Sequence, residues 1–154
     1  MRHNANVFRK LAAKLLSFMR KLFSTGYSEN ACSIALLLLR IAAGGLMLVN
    51  HGYDKLMHFS QRAHRFSDPF NIGSTTSFSL VIFAEVFCAA FIILGLFTRL
   101  AAIPLVIAMS VAVWFAHNGA VTGKGELPTL FLACFLAILL VGPGKASIDR
   151  LIGK

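Results

Sequence analysis

Two charged residues lie inside long apolar segments, where a charge is expensive to keep. Arg40 lies in the apolar run 31–49, and Glu85 lies in the run 78–97. An ionised side chain in such a segment costs about 2.5 to 3.5 kcal/mol on insertion scales, so it faces the protein interior and takes a partner. If the two runs form antiparallel helices, these residues lie about 13 and 10 Å from the same end. The sequence therefore predicts an intramembrane ion pair between Arg40 and Glu85.

Four more polar side chains lie at that same end of the predicted helices, or just beyond it: His51, Lys55, His117 and Glu126. Together with the two buried charges they form a predicted polar mouth facing the outside. Such a mouth suits a quinone head group, a proton or a small anion. The structural alternative stays open, in which the buried charges only lock the helix register and the end residues contact lipid head groups.

The residue types argue against a catalytic centre or a metal site on this chain alone. His51 and His117 are the best candidates for metal or haem ligands, but no Cys or carboxylate accompanies either at ligand spacing. The cysteines at 32, 88 and 134 fall in different apolar runs without paired spacing. No nucleophile and base pair or dinucleotide loop is found. We expect no metal and no cofactor, with a quinone contact as the one exception.

Composition shows which elements position these residues. The chain has 154 residues, of which 57% are hydrophobic, with a mean hydropathy of +0.74. This is too apolar for an ordinary soluble domain. Four apolar runs are each suited to crossing a bilayer as a helix, at 31–49, 78–97, 100–116 and 127–142. The predicted fold is all-α, an integral membrane four-helix transmembrane bundle.

The N-terminal segment has a different pattern. From Val7 to Phe23, apolar residues recur at helical spacing between basic ones, which predicts a basic amphipathic helix lying on the membrane surface. We therefore divide the chain into a basic segment, 1–30, and a membrane domain, 31–151. The net charge of +9 is then explained by anionic lipid head groups, and no nucleic-acid partner is expected.

The distribution of Lys and Arg predicts the orientation. Four spans place both termini and the turn at Thr98 and Arg99 on one side, which carries ten basic residues, against four on the other side. The more basic side is cytoplasmic in multi-pass proteins. We therefore expect cytoplasmic N- and C-termini.

Several short motifs resemble the DoxX family of small bacterial inner-membrane proteins. The first is Arg40 followed by Gly44-Gly45 and then by His51-Gly52-x-x-Lys55. Others follow in the same order as in the family: Asp68-Pro69-Phe70-Asn71-Ile72-Gly73, Ala84-Glu85, Gly95 to Ala101, and Gly142-Pro143-Gly144 with Ser147 and Asp149. The resemblance extends over about residues 31–151.

The resemblance implies an inner-membrane location and a role beside other proteins. Some DoxX-like proteins are linked to thiosulfate:quinone oxidoreductase, and others to complexes that handle thiol or oxidative stress. The favoured reading is an accessory or anchor subunit of such a redox system, with a membrane protein partner or a second copy. A small oligomeric transporter and a structural assembly partner remain as alternatives.

Overall fold

The computed structural model describes residues 2–22, 26 and 28–153, without the side chains of 2–8 and 20–22. An N-terminal helix, Arg2–Leu22, precedes four helices that are long and apolar enough to cross a membrane. These four spans are Glu29–Met57, Ser74–Leu94, Thr98–Ala116 and Gly123–Val141. Short helical pieces follow the first and fourth spans, at Phe59–Arg62, Ala63–Arg65 and Ile148–Ile152. The predicted all-helical bundle with four spans is confirmed.

The spans form an antiparallel bundle in which each packs against two others. The first contacts the second and fourth, and the third contacts the same two. We call the end holding 95–97 and 142–153 the terminal end, and the end holding 58–73 and 117–122 the loop end. Between them lies an apolar core in which side chains from all four spans are buried, including Ala43, Met47, Ile92, Leu105, Phe135 and Ile138.

Several span boundaries differ from those expected from hydropathy, and the fourth span begins at Gly123 instead of 127. The first helix continues past residue 49 to Met57, and the second begins at Ser74 instead of 78. Polar side chains in these extra turns are paired and do not end the helix. For example, the carboxylate of Asp54, in the extension of the first span, accepts a hydrogen bond from Arg62 over 2.6 Å. The connection 58–73 also packs its aromatic rings, Phe59 and Phe66, on the buried ring of Phe78.

Asp68 organises the start of the second span. Its carboxylate accepts hydrogen bonds from the backbone N–H groups of Ile72 and Gly73 and from the hydroxyl of Ser77. The Ser77 hydroxyl, together with those two N–H groups, lowers the pKa of Asp68 despite partial desolvation. Gly73 has φ of 97°, a left-handed conformation that glycine adopts without strain. The Asp68 to Gly73 motif is therefore a helix-starting loop.

Three of the spans contain one π-helical turn each. These lie at Leu48–Gly52, Phe83–Cys88 and Ala112–Ala116. A π-helical turn holds an extra residue, so it changes the direction in which all later side chains point. Hydropathy carries no signal for such turns, and the sequence did not predict them.

The C-terminal segment, 142–152, folds back across the terminal end. The carboxylate of Asp149 accepts hydrogen bonds from the N–H groups of Phe97 (2.6 Å) and Thr98 (2.8 Å), at the start of the third span. The N–H of Asp149 donates to the carbonyl of Gly95, and the N–H of Lys145 donates to the hydroxyl of Ser33. The segment thus joins the first span to the turn between the second and third.

The N-terminal helix exists, but its predicted surface position is a proposal. Its side chains from 9 to 19 are exposed, and the large apolar ones among them are Leu11, Leu15, Leu16, Phe18 and Met19. The amphipathic pattern also includes Phe8, Arg20, Lys21 and Leu22, whose side chains are not among those that the structure describes.

The orientation expected from the basic residues is testable at two exposed positions. Ser67 lies at the loop end and Ala146 at the terminal end. In a background without Cys32, Cys88 and Cys134, Ser67→Cys should react with an impermeant maleimide on intact cells, and Ala146→Cys only after permeabilisation. The reverse pattern would invert the topology.

A second prediction concerns Asp149 and acid. Partial burial acts to raise the pKa of this carboxyl, but the N–H groups of Thr98 and Phe97 and the charge of Arg40 outweigh it, so the pKa is lowered. Its stabilising effect is complete above the unfolded-state pKa of about 3.9 and is lost as pH falls through the lower folded-state pKa. Asp149→Asn should therefore reduce the unfolding temperature in detergent at pH 7.

Below about pH 3.9 the difference between Asp149→Asn and the unchanged protein should shrink. A destabilisation by Asp149→Asn that is constant from pH 7 to pH 3 would contradict the assigned role.

Candidate functional site

Glu85 forms a buried ion pair with Lys55. The ammonium of Lys55 lies 2.5 and 2.6 Å from the two carboxylate oxygens of Glu85. The Glu85 side chain is 4% exposed and that of Lys55 is 23% exposed. In surroundings of low dielectric, the attraction between these two opposite charges is stronger than it would be in water. The partner of Glu85 is therefore a lysine at the loop end of the first span.

Gly52 makes this pairing possible. A Cβ atom on Gly52 would lie 2.6 Å from the carbonyl oxygen of Glu85, so any larger residue would push the first two spans apart. Because the backbones meet there, a lysine three residues later is within reach of the Glu85 carboxylate. His51, just before the glycine, points its ring at Phe131 of the fourth span, with ring centres 5.6 Å apart. His51, Gly52 and Lys55, the three specified residues of the motif, thus each have a physical role.

The predicted pair between Arg40 and Glu85 does not form. Arg40 is buried, with 1% of its surface exposed, but its Nη2 donates instead to the carbonyl of Ala146 over 2.5 Å. Its Nη1 lies against Gly95, where a Cβ atom would collide with it. Among the described residues, no group accepts a hydrogen bond from its Nε or Nη1. Arg40 therefore belongs to the terminal end, where it holds the C-terminal segment.

The true depths of Arg40 and Glu85, together with the direction of their side chains, explain why the depth argument was wrong. Helical side chains lean toward the N-terminus of their own helix. The backbone of Glu85 meets the first span at Gly52, twelve residues and about 18 Å of helix beyond Arg40, so the two residues lie at different depths. The first span starts at the terminal end and the second at the loop end, so their side chains also lean apart. Each then pairs with a group near its own end of the bundle.

The polar residues of the loop end surround one cavity of about 270 Å³. All four spans contribute to it. Its polar lining is His51, Lys55, Glu85, His117 and Lys124, and its main apolar lining is Met47, Met109, Ala112, Leu127 and Phe131. Of the residues predicted for the external mouth, His51, Lys55 and His117 line this cavity together, and Glu85 joins them.

Glu126 does not line the cavity, and Lys124 was missed. On the fourth span, residues 124, 127, 128 and 131 face the cavity, which is the spacing of one helical face. Glu126 is turned about 100° from Leu127, and its side chain is exposed. Counting backwards from Phe131 along one face of the helix, by steps of three and four residues, leads to Lys124 and would have predicted it.

The π-helical turns set the lining of the cavity. In a regular α-helix, residues four apart drift by about 40° around the axis. The π-helical turn at Leu48–Gly52 turns less per residue and offsets this drift, so Met47, His51 and Lys55 all line the cavity. Glu85 lies in the second π-helical turn, and His117 directly follows the third. Such turns are frequent at functional sites.

The cavity suits a small ligand with both apolar surface and polar atoms. Both histidines can donate or accept a hydrogen bond, depending on the tautomer. Lys124 adds a cation, while Lys55 is already neutralised by Glu85. Met47, Met109 and Phe131 offer apolar contact to the rest of a ligand. This combination of apolar walls and a few converging polar groups is typical of a ligand site.

The ion pair predicts strong coupling between Lys55 and Glu85. Removing one partner of a fully buried pair costs about 3 to 5 kcal/mol, and we expect the lower end because Lys55 is 23% exposed. Lys55→Met and Glu85→Met should each lower the free energy of unfolding in detergent. The double variant should lose much less than the sum of the two.

Arg40→Met combined with Glu85→Met is the control for that cycle. These residues bind different partners, so their effects should add within about 0.5 kcal/mol. Additive effects for Lys55 and Glu85, or strong coupling of Arg40 to Glu85, would show that the pairing described above is wrong.

Comparison with known proteins agrees with the motifs. The sequence model of the DoxX family matches residues 35–118, more than half of the chain. An uncharacterised protein of Haemophilus influenzae is 32% identical over 101 residues, covering 62% of this chain and 67% of that protein. An uncharacterised membrane protein of Mycobacterium tuberculosis is 29% identical over 125 residues, covering 71% of this chain and 77% of that protein. No solved structure matches the chain. With four apolar spans and this match, the chain is a multi-pass membrane protein that belongs to the DoxX family.

Proposed function

We propose that this protein binds a quinone head group in the loop-end cavity, as the accessory or anchor subunit of a quinone-linked redox system. The observation that carries the proposal is the cavity itself, in which a paired Glu85 and Lys55 and two histidines meet apolar walls. A quinone ring has two carbonyl oxygens at opposite edges and two apolar faces. His51, His117 and Lys124 supply donors for the oxygens, and Met47, Met109 and Phe131 supply contact for the faces.

The Glu85 and Lys55 pair keeps the cavity polar at little net charge. Contacts with a neutral quinone would not offset the free-energy cost of burying an isolated cation, because an unpaired charge in apolar surroundings is strongly destabilising. Since Glu85 neutralises Lys55, the remaining cation of the lining is Lys124, whose side chain is exposed. The electrons that a quinone exchanges come from a partner protein in this proposal, so the chain acts with an enzyme instead of alone.

The apolar core favours binding over permeation through a single copy. Met47 and Met109 line the cavity and are also part of the buried core, which continues through Ala43 and Leu105 toward the terminal end. Side chains packed in this way leave no polar route from the cavity to Arg40. Transport would need an oligomer or a large rearrangement.

Location and lipid contacts follow from the basic residues. We propose the bacterial inner membrane, with the terminal end in the cytoplasm. The N-terminal helix would lie on anionic head groups, with exposed cations such as Arg9, Lys10 and Lys14 in contact with them and exposed apolar residues such as Leu11 and Leu15 inserted.

The binding proposal is tested with a tail-free benzoquinone and the purified protein in lipid nanodiscs. The unchanged protein should bind the quinone and gain thermal stability. His51→Leu and His117→Leu should each weaken binding by about 3- to 10-fold, the worth of one hydrogen bond. His64→Leu is the matched control, because His64 is exposed and lies outside the cavity.

Two results would reject the proposal. One is the absence of any saturable binding to the unchanged protein. The other is an equal loss of affinity in His51→Leu, His117→Leu and His64→Leu, which would show that the cavity histidines do not contact the quinone.

A further inference from the structure

A pocket of about 300 Å³ opens at the surface of the terminal end, between the first span and the C-terminal segment. The first span lines it with one helical face, and the end of the fourth span and the chain that follows form the opposite wall. Its main lining is Glu29, Ser33, Leu36, Val141, Lys145 and Arg150. It shares no residue with the loop-end cavity, so it is a separate site.

The pocket lies beyond the ends of the second and third spans. The second span ends at Leu94, and Gly95, the next residue, lies against the guanidinium of Arg40. The first span begins at Glu29, eleven residues and about 16 Å of helix before Arg40. Its first turns and the C-terminal segment therefore extend past the bundle, to the level where lipid head groups surround a spanning protein.

The lining changes from apolar to charged along the pocket. Leu36 and Val141 form the end nearer the apolar bundle, and Ser33 lies about one helical turn farther out on the first span. Glu29 lies a further turn out and pairs with Lys145, whose ammonium is 2.8 Å from the carboxylate. A molecule that fits this order of surfaces has an apolar part toward the bilayer and a charged part at its surface.

The charged end of the pocket carries one cation more than it carries anions. Lys145 is paired with Glu29, and Arg150 is close enough to Glu29 for their charges to interact. The Arg150 side chain is exposed, and within the described part of the chain its guanidinium makes no hydrogen bond or ion pair. A guanidinium binds phosphate oxygens through two parallel hydrogen bonds. The single negative charge of a phosphodiester would therefore balance the excess.

We propose that this pocket binds the phosphodiester of an anionic phospholipid, such as phosphatidylglycerol, with an acyl chain lying along Leu36 and Val141. Arg150 donates to the phosphate. Lys145 already donates to Glu29 and to Asn30, which leaves one of its three ammonium N–H groups for the phosphate. Basic pockets at the membrane surface bind lipid head groups in this way, and the apolar end of the pocket has no counterpart in a free phosphate ion.

The bound lipid joins two elements that the protein already links. The backbone N–H of Lys145 donates to the hydroxyl of Ser33 over 2.7 Å, and the pair of Lys145 with Glu29 connects the same two walls. A phosphate held by Arg150 adds a third link between the C-terminal segment and the first span. Binding should therefore stabilise the folded protein.

The test follows the unfolding temperature of the purified protein in detergent as lipid is added. Phosphatidylglycerol should raise it saturably, at about tenfold lower concentration than phosphatidylcholine with the same chains, because choline brings a cation beside Lys145 and Arg150. Arg150→Gln should weaken the phosphatidylglycerol effect about tenfold, as expected for a lost charge-assisted hydrogen bond. Arg99→Gln is the matched control, since Arg99 is an exposed cation of the terminal end outside the pocket.

Two soluble probes distinguish a lipid from a free phosphate. Inorganic phosphate and glycerophosphoglycerol, the head group without its chains, should not stabilise the protein at the concentrations where phosphatidylglycerol does. If either one stabilises it equally, the pocket is a site for a soluble phosphate and the lipid proposal is wrong.

A labelling experiment tests the position of the chain. Phosphatidylglycerol with a photoreactive group in its acyl chain should label Leu36 or Val141 more strongly than Leu100, which is exposed on the third span at the terminal end. Equal labelling of these residues, equal effects of the two lipids, or equal losses in Arg150→Gln and Arg99→Gln would each overturn the site. None of these results bears on quinone binding at the loop end.

Discussion

Every charge inside this bundle must have a partner, and this constraint organises both of its ends. At the loop end, Glu85 is neutralised by Lys55, which requires the first two spans to touch at Gly52. At the terminal end, Arg40 donates to the carbonyl of Ala146, which requires the C-terminal segment to fold back over the bundle. The apolar core between them separates the two polar layers. The loop-end layer borders a cavity and is suited to binding, whereas the terminal-end layer is built into the packing.

The glycines of the motifs act through close backbone approach. Gly44 faces the carbonyl of Ala89, and Gly52 faces that of Glu85, so two contacts two turns apart hold the first span against the second. Gly95 adopts the left-handed conformation that ends the second span, and its missing side chain leaves room for the guanidinium of Arg40. The DoxX motifs therefore describe mainly how four short helices pack, while His51, Lys55 and Glu85 are the members that also line a cavity.

The sequence predicted the four spans and most of the loop-end polar cluster, because hydropathy and helical spacing report those directly. It did not predict the true partners of Arg40 and Glu85, since hydropathy ended the first span at 49 and began the second at 78, which placed the two residues at the same depth. The helices in fact extend to Met57 and from Ser74. Glu126 was wrongly predicted to line the cavity. The prediction used its position near the end of the fourth span and did not consider which face of the helix it occupies. The π-helical turns and the path of 142–152 depend on tertiary contacts that no local pattern contains.

The central claim is that Glu85 is held by Lys55 and not by Arg40, which places a neutralised ion pair in the wall of the loop-end cavity. Solid-state NMR in lipid bilayers measures this directly, through dipolar couplings between ¹³C-labelled Glu carboxyls and ¹⁵N-labelled Lys ammonium or Arg guanidinium groups. The contact of Lys145 with Glu29 adds a second Lys–Glu coupling, so the Lys55 signal is identified by its loss in Lys55→Met. The account predicts a strong coupling from Lys55 to the Glu85 carboxyl and none from Arg40. A strong coupling between Arg40 and Glu85 would contradict it.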